Sequence, residues 1–244
     1  MMYNLLAVYF VLLFLTTSLV YFPIAVFIRV FTGWFDRRLV ALNVFTCFWA
    51  SCYTWLSPIW SVIITGRENI VRKKTYVMVC NHQSLLDIPV IFRIFLNFKW
   101  VAKASLFKIP IIGWNMWLNR SIKIERSSAK SQRKMLKRCI EHIRNGSSVM
   151  IFAEGTRSRN GELRTFKDGA FHIALQAKTD IVPMVIDGSY KALPEKGIIP
   201  RCKQKVSLNI LQPVPYESFK DMGVRQLTEH VHAIIAAELA RMRS

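Results

Sequence analysis

A histidine and an aspartate five residues apart, His82 and Asp87 in the heptapeptide NHQSLLD, are the pair in this chain best suited to proton transfer. An imidazole accepts a proton near neutral pH. A carboxylate against its other nitrogen fixes the tautomer and stabilises the imidazolium that forms. On a continuous helix, residues five apart lie about 140° round the axis and face away from each other. Pro89 removes the conflict, because proline is tolerated in the first turn of a helix and disruptive beyond it. The spacing therefore predicts a helix that starts near Asp87, preceded by a turn over 82–86 that can fold His82 back onto the carboxylate. The heptapeptide taken alone favours a plainer arrangement, in which Asp87 caps the helix and His82 is a surface turn residue.

Three further stretches carry groups suited to an anion. FAEGTRSRNGE (152–162) follows an apolar run and offers Gly155, Thr156, Arg157 and the free amides of a tight turn. Guanidinium forks match phosphate oxygens, and amides exposed at a turn add to them. TFKDGAF (165–171) opens a helical pattern with Lys167 and Gly169. SIKIER (121–126) puts Arg126 at the end of a short strand-like run. Each signal is weak by itself; their shared position after strands makes the set informative.

The elements that must position these residues alternate. Apolar runs at 75–80, 99–104, 121–125, 148–153, 181–186 and 206–211 read as strands, and 87–97, 127–144, 167–177 and 225–242 as helices. The pattern predicts an α/β domain with a mixed, largely parallel sheet flanked by helices. No repeat or linker divides residues 66–244, which are expected to form one domain. The 127–144 helix sets Lys130, Arg133, Lys134, Lys137, Arg138 and Arg144 against Glu141 alone. Such a face is either solvated, or leans on anionic lipid or meets an acidic donor.

Residues 1–65 differ in kind. No charge occurs from Met1 to Ile28, and a second uncharged stretch runs from Leu39 to Thr65. The first, as a helix, would be about 42 Å long against a hydrocarbon core of about 30 Å. Its start, MMYN, lacks a basic region, so the segment reads as a retained N-terminal helical membrane anchor rather than a signal peptide. Basic residues flank the second stretch on both sides, Arg37 and Arg38 before it and Arg67 and Arg72 after it. That favours a hairpin in one leaflet, or one span plus a half-inserted helix, over two crossings. The net charge is +19, and all but three of the basic residues follow residue 65. Beside an anchor, anionic membrane lipids are the economical partner, and no nucleic-acid partner is expected without interleaved stacking aromatics. The five cysteines are scattered and the histidines lack ligand spacing, so neither a disulfide framework nor a metal site is expected.

Together the blocks resemble the glycerolipid acyltransferase family, most closely its bacterial 1-acyl-sn-glycerol-3-phosphate acyltransferases. The resemblance rests on Asn81, His82 and Asp87, on the strand ending in Arg126, on Phe152 to Ser158, and on Val182-Pro183. Two positions depart from the family pattern: Ala153 stands where proline is usual and Ser121 where glycine is common. The resemblance implies acyl transfer from coenzyme A or acyl carrier protein to the sn-2 hydroxyl of lysophosphatidic acid, without a cofactor. His82 is then the general base and Asp87 its orienting carboxylate. Lys103, Arg126, Glu154, Gly155, Thr156 and Arg157 shape the acceptor site, with Arg126 and Arg157 on its phosphate. It also implies a membrane-associated enzyme with its catalytic domain on the cytoplasmic face of a bacterial inner membrane. Glycerol 3-phosphate or another lysophospholipid as acceptor, or a non-catalytic lipid-binding role, are the alternatives.

Overall fold

The computed structural model describes residues 2–158, 160–193 and 202–244. Alternation along the strands sets the architecture. In β2 (Val77–Cys80), Val77 and Val79 point to one face of the sheet and Met78 and Cys80 to the other, and all four are fully buried. A strand apolar on both faces must be central and covered on both sides. The sheet has seven strands in the order β1-β7-β6-β2-β5-β3-β4. The others are β1 (Trp60–Thr65), β3 (Phe98–Lys103), β4 (Ile122–Ile124), β5 (Ser148–Phe152), β6 (Ile181–Asp187) and β7 (Gln204–Ile210). From β6 to β4 all pairs are parallel; β7 runs antiparallel to β6 and parallel to β1. The mixed, mostly parallel sheet expected from the sequence is present.

Helices cover both faces. On one, α2 (Val40–Trp55) and α3 (Asp87–Phe92) pack on Met78, Cys80, Phe98, Trp100, Met150 and Met184. On the other, α5 (Ala129–Arg144), α6 (Gly169–Ala177) and α9 (Val224–Arg243) enclose Val77, Val79, Val149, Ile181 and Val185. In α5, Met135, Cys139 and Ile143 face inward, which leaves the basic side chains outside. Short helices α4 (Ile112–Leu118), α7 (Ser189–Ala192) and α8 (Tyr216–Phe219) fill connections.

At the N-terminus α1 (Met2–Thr32) is the one helix among the described residues long and apolar enough to cross a membrane, with a mean hydropathy of 2.3 over its most apolar window. It pairs antiparallel with α2: Tyr9 Oη donates to Leu56 O (2.7 Å), Thr17 meets Tyr53 (2.8 Å), and Tyr21 stands edge-on to Trp49. α1 also touches the α/β body, with Phe10 on Trp60, Phe22 on Trp114, and Ala25 and Ile28 in a cluster with Leu118.

Two expectations need correction. The second uncharged stretch is not helical throughout, because Trp60–Thr65 is the sheet's edge strand, paired with β7. The sheet therefore begins inside the segment read as anchor. The helix read over 87–97 stops at Phe92, and the following turn places Phe95 at φ 52°.

Candidate active site

The parallel block aligns its carboxyl ends on one edge. Cys80 lies level with Phe152 and with Met184, and Lys103 with Ile124. Asn81-His82, Ala153-Glu154 and Arg126 thus follow strands, and Lys103 and Asp187 end them, at the same side of the sheet.

The turn between β2 and α3 bends His82 back. His82 Nδ1 lies 2.7 Å from Asp87 Oδ2. The same oxygen accepts the Gln83 N–H (2.7 Å) and the Ser84 N–H (2.9 Å), so one carboxylate both builds the turn and holds the ring. Asp87 is fully buried, whereas the His82 side chain is 13 % exposed. Its ring stacks on Phe152 at 3.7 Å between centroids, with planes 7° apart. With Nδ1 on the carboxylate, Nε2 is the nitrogen left to take a proton.

Neighbouring groups fix the turn from outside. Asn81 Nδ2 donates to Ile186 O and its Oδ1 accepts the Ile186 N–H, both at 2.8 Å, which ties β2 to β6 beyond the ladder. Ser158 N–H donates to His82 O at 2.7 Å. Glu154 is buried, and its carboxylate accepts the His82 N–H (2.8 Å) and the Arg164 N–H (3.2 Å). Burial pushes the Glu154 carboxyl up to about 7, and its two N–H donors oppose the rise. Glu154 is thus a buried fastening between two backbone segments, the one at His82 and the one at Arg164.

Gly155 has φ 72°, a left-handed conformation suited to glycine. A Cβ built there would lie 3.7 Å from Lys167 Cγ and 3.8 Å from Arg126 Cζ, so two cations from distant segments flank the turn. Thr156 is exposed at its tip and Arg157 is half-buried, with interactions of its own. Lys103 is exposed at the end of β3 beside β4, the strand that leads to Arg126. A surface of this kind suits a phosphate.

Every residue expected at the site thus lies at this edge. The sequence reading missed Phe152 as the platform under the imidazole, and Asp187. Asp187 Oδ1 accepts from Gln83 Nε2 (3.1 Å) and from Arg243 Nη2 (2.9 Å). Neither has a signal in local spacing, since their partners are remote in the chain. Burial pushes the Cys80 thiol, next to this turn, well up and away from thiolate. Among the described residues no cluster of potential metal ligands occurs.

An acyltransferase family model matches residues 61–187. A chloroplastic 1-acyl-sn-glycerol-3-phosphate acyltransferase of Arabidopsis thaliana is 40 % identical over 62 % of this chain and 43 % of its own length. The 1-acyl-sn-glycerol-3-phosphate acyltransferase of Saccharomyces cerevisiae is 36 % identical over 70 % of this chain and 57 % of its own. The protein of that name from Borreliella burgdorferi is 36 % identical over 54 % and 53 %. The chain spans about half the length of the curated relatives it matches. The crystal structure of the LPA acyltransferase PlsC from Thermotoga maritima shares the fold, with a TM-score of 0.78, 24 % identity, and 99 % and 98 % of the two chains covered.

Proposed function

The chain belongs to the acyltransferase family, and from its site we propose that it moves a fatty acyl group from a thioester to the sn-2 hydroxyl of 1-acyl-sn-glycerol 3-phosphate. His82 Nε2 takes the hydroxyl proton as the oxygen attacks the thioester carbonyl carbon. The new C–O bond forms, the C–S bond breaks, and the departing thiolate takes the proton back from His82. The products are phosphatidic acid and the free thiol of coenzyme A or acyl carrier protein. Asp87 holds the tautomer and balances the charge on the imidazolium. Arg126 and Lys167, with Lys103, Thr156 and Arg157 nearby, bind the acceptor phosphate at the Gly155 turn.

The observation that carries this reading is the 2.7 Å contact between His82 Nδ1 and a fully buried carboxylate at the edge where the cations converge. The names of the relatives support the choice of acceptor. We further propose that the protein works at an anionic membrane, on its cytoplasmic face, with α1 and α2 as its apolar seat.

The test is His82→Ala assayed with lysophosphatidate, glycerol 3-phosphate and a zwitterionic lysophospholipid, each with acyl-coenzyme A and acyl carrier protein donors. Loss of about 10²–10⁴ in kcat is expected, with lysophosphatidate the preferred acceptor of the wild type. Undiminished transfer by a folded His82→Ala protein overturns the base. Preference for another acceptor overturns the substrate but leaves the base in place.

A further inference from the structure

We propose that the crossover between β3 and β4 is a second membrane-contact surface, made by α4 and the residues just before it, which seats the cationic edge of the site at the depth of lipid phosphates. The proposal rests on the membrane role given above to α1 and α2. α4 and the residues before it carry an apolar load that the fold covers only in part, Trp114 against Phe22 and Trp117 against Phe107. Ile109, Ile112, Trp114 and Trp117 are 40, 42, 50 and 52 % exposed, and Gly113 is the only residue α4 buries. Large apolar groups clustered on one short crossover mark a surface that meets something other than water.

The chemistry around them selects the occupant. The surface continues that of α1: Phe22 packs on Trp114 at 5.7 Å, and an open groove between the two helices is lined by Arg29, Val30, Gly33, Trp34, Trp117 and Leu118. Between Asp87 and Glu125 the sequence contains no acid, while Lys103, Lys108, Arg120 and Lys123 are all exposed. Lys123 Nζ lies 5.3 Å over the Trp117 ring, which sets a cation beside an indole. Tryptophan with lysine and arginine at the edge of an apolar face is the composition of a membrane–water interface, and anionic headgroups attract such a collar. Topology supplies the consequence. The crossover leaves the sheet at Lys103 and returns through β4 to Arg126, so anything that fixes α4 at the headgroup layer fixes both acceptor-binding cations there.

The experiment places a polarity-sensitive fluorophore at one introduced cysteine at a time in the Cys202→Ser protein, whose remaining cysteines are buried: Trp114→Cys, Trp117→Cys, Leu19→Cys on α1 and Lys178→Cys as an exposed reference. Vesicles of phosphatidylcholine with phosphatidylglycerol carry a spin-labelled quenching lipid. The expected result is quenching at 114, 117 and 19, and none at 178. Quenching at 19 with labels at 114 and 117 in water overturns the α4 surface and leaves the anchor standing. No quenching at any position overturns both. Labels at 114 and 117 that are shielded without lipid and insensitive to the quencher overturn the proposal in favour of self-association. A Trp114→Ser/Trp117→Ser protein is expected to lose about tenfold in activity on vesicle-borne acceptor while keeping its rate on a short-chain soluble one; equal retention of both rates counts against the surface.

Discussion

Replacing Asp87 by asparagine isolates the charge of the site from its shape. Asp87 Oδ2 accepts three N–H groups, from His82, Gln83 and Ser84. An asparagine oxygen in that position can accept the same three, so the turn is retained. Its amide nitrogen then occupies the place of Oδ1, a buried atom with no hydrogen-bond partner among the described residues, which costs about 1–3 kcal/mol of stability. What disappears is the negative charge facing the imidazolium formed during transfer. At a charge separation of about 4 Å and an effective dielectric near 20, that attraction is about 4 kcal/mol. One decade in rate corresponds to about 1.4 kcal/mol, so Asp87→Asn should lower kcat about 10³-fold. KM for lysophosphatidate should hardly change, because the carboxylate does not reach the phosphate side. Steady-state rates on vesicle-borne acceptor, with circular dichroism to establish folding, supply the assay. The double variant with His82→Ala should be no slower than His82→Ala alone, since the two groups act as a unit. A folded Asp87→Asn protein within tenfold of the wild-type kcat refutes the reasoning and leaves Asp87 as a builder of the turn only.

Glu154 makes stability depend on pH with a definite sign. Its carboxyl is raised by burial from the ordinary 4.5 to about 7 in the folded protein. The native state then binds more protons than the unfolded one between these values, so this group's contribution is fully present below about pH 4.5 and is lost as pH rises through 7. Denaturant unfolding should show a decline of about 3 kcal/mol across that window, and Glu154→Gln should abolish the slope; an unchanged slope in the variant counts against the assignment. Arg243 acts at a distance as a positioning residue. Its Nη2 donates to Gly161 O (2.7 Å) and Asp187 Oδ1 (2.9 Å), and Asp187 Oδ1 in turn accepts from Gln83, the neighbour of His82. Arg243→Ala should therefore change KM for the acceptor and kcat together, through the 155–166 loop and the 82–86 turn, and Arg243→Lys should rescue in part. Full activity in Arg243→Ala would show that the loop stands without it.

The site was legible where chemistry and local geometry coincide within a few residues. Pro89 marked the start of α3, and with it the bend that brings His82 and Asp87 together. The strand-end positions of Arg126 and Gly155 were legible too, because a short apolar run followed by a turn has one reading in an alternating pattern. What failed did so for physical reasons. β1 was hidden because WSVIIT continues an uncharged stretch, although Pro58 before it, Gly66 after it and its β-branched Val-Ile-Ile-Thr run are the local marks of a short strand. α4 was hidden by its shortness, seven residues with no periodic polar face. The supports of the turn were out of reach altogether, since Asn81 bonds to Ile186, Glu154 to His82 and Arg164, and Arg243 to Gly161. Such contacts depend on strand order, which spacing along the chain does not encode.

Hydrogen bonds and backbone conformation show how the chain accommodates Ala153 and Ser121, its two departures from the pattern that the resemblance sets. A proline at 153 would contribute a fixed φ at the cost of one backbone donor. Here Ala153 is buried, its N–H reaches Cys80 O at 3.3 Å, and its carbonyl accepts the Lys167 N–H at 2.8 Å. The segment before Glu154 is thus held by two hydrogen bonds to its neighbours, one of which proline would forgo. Ser121 raises the converse question, whether glycine is needed for backbone freedom ahead of β4. The left-handed residue there is Arg120, at φ 55°, and Ser121 follows it with its N–H on Met116 O at 2.9 Å. The turn therefore asks nothing of position 121 that only glycine could supply. Arg120 takes the conformational load instead, and its guanidinium reaches Arg37 O at 3.3 Å, which ties the strained turn to the loop between α1 and α2. The substitution at 121 thereby leaves β4, and the Arg126 it delivers to the Gly155 turn, in place.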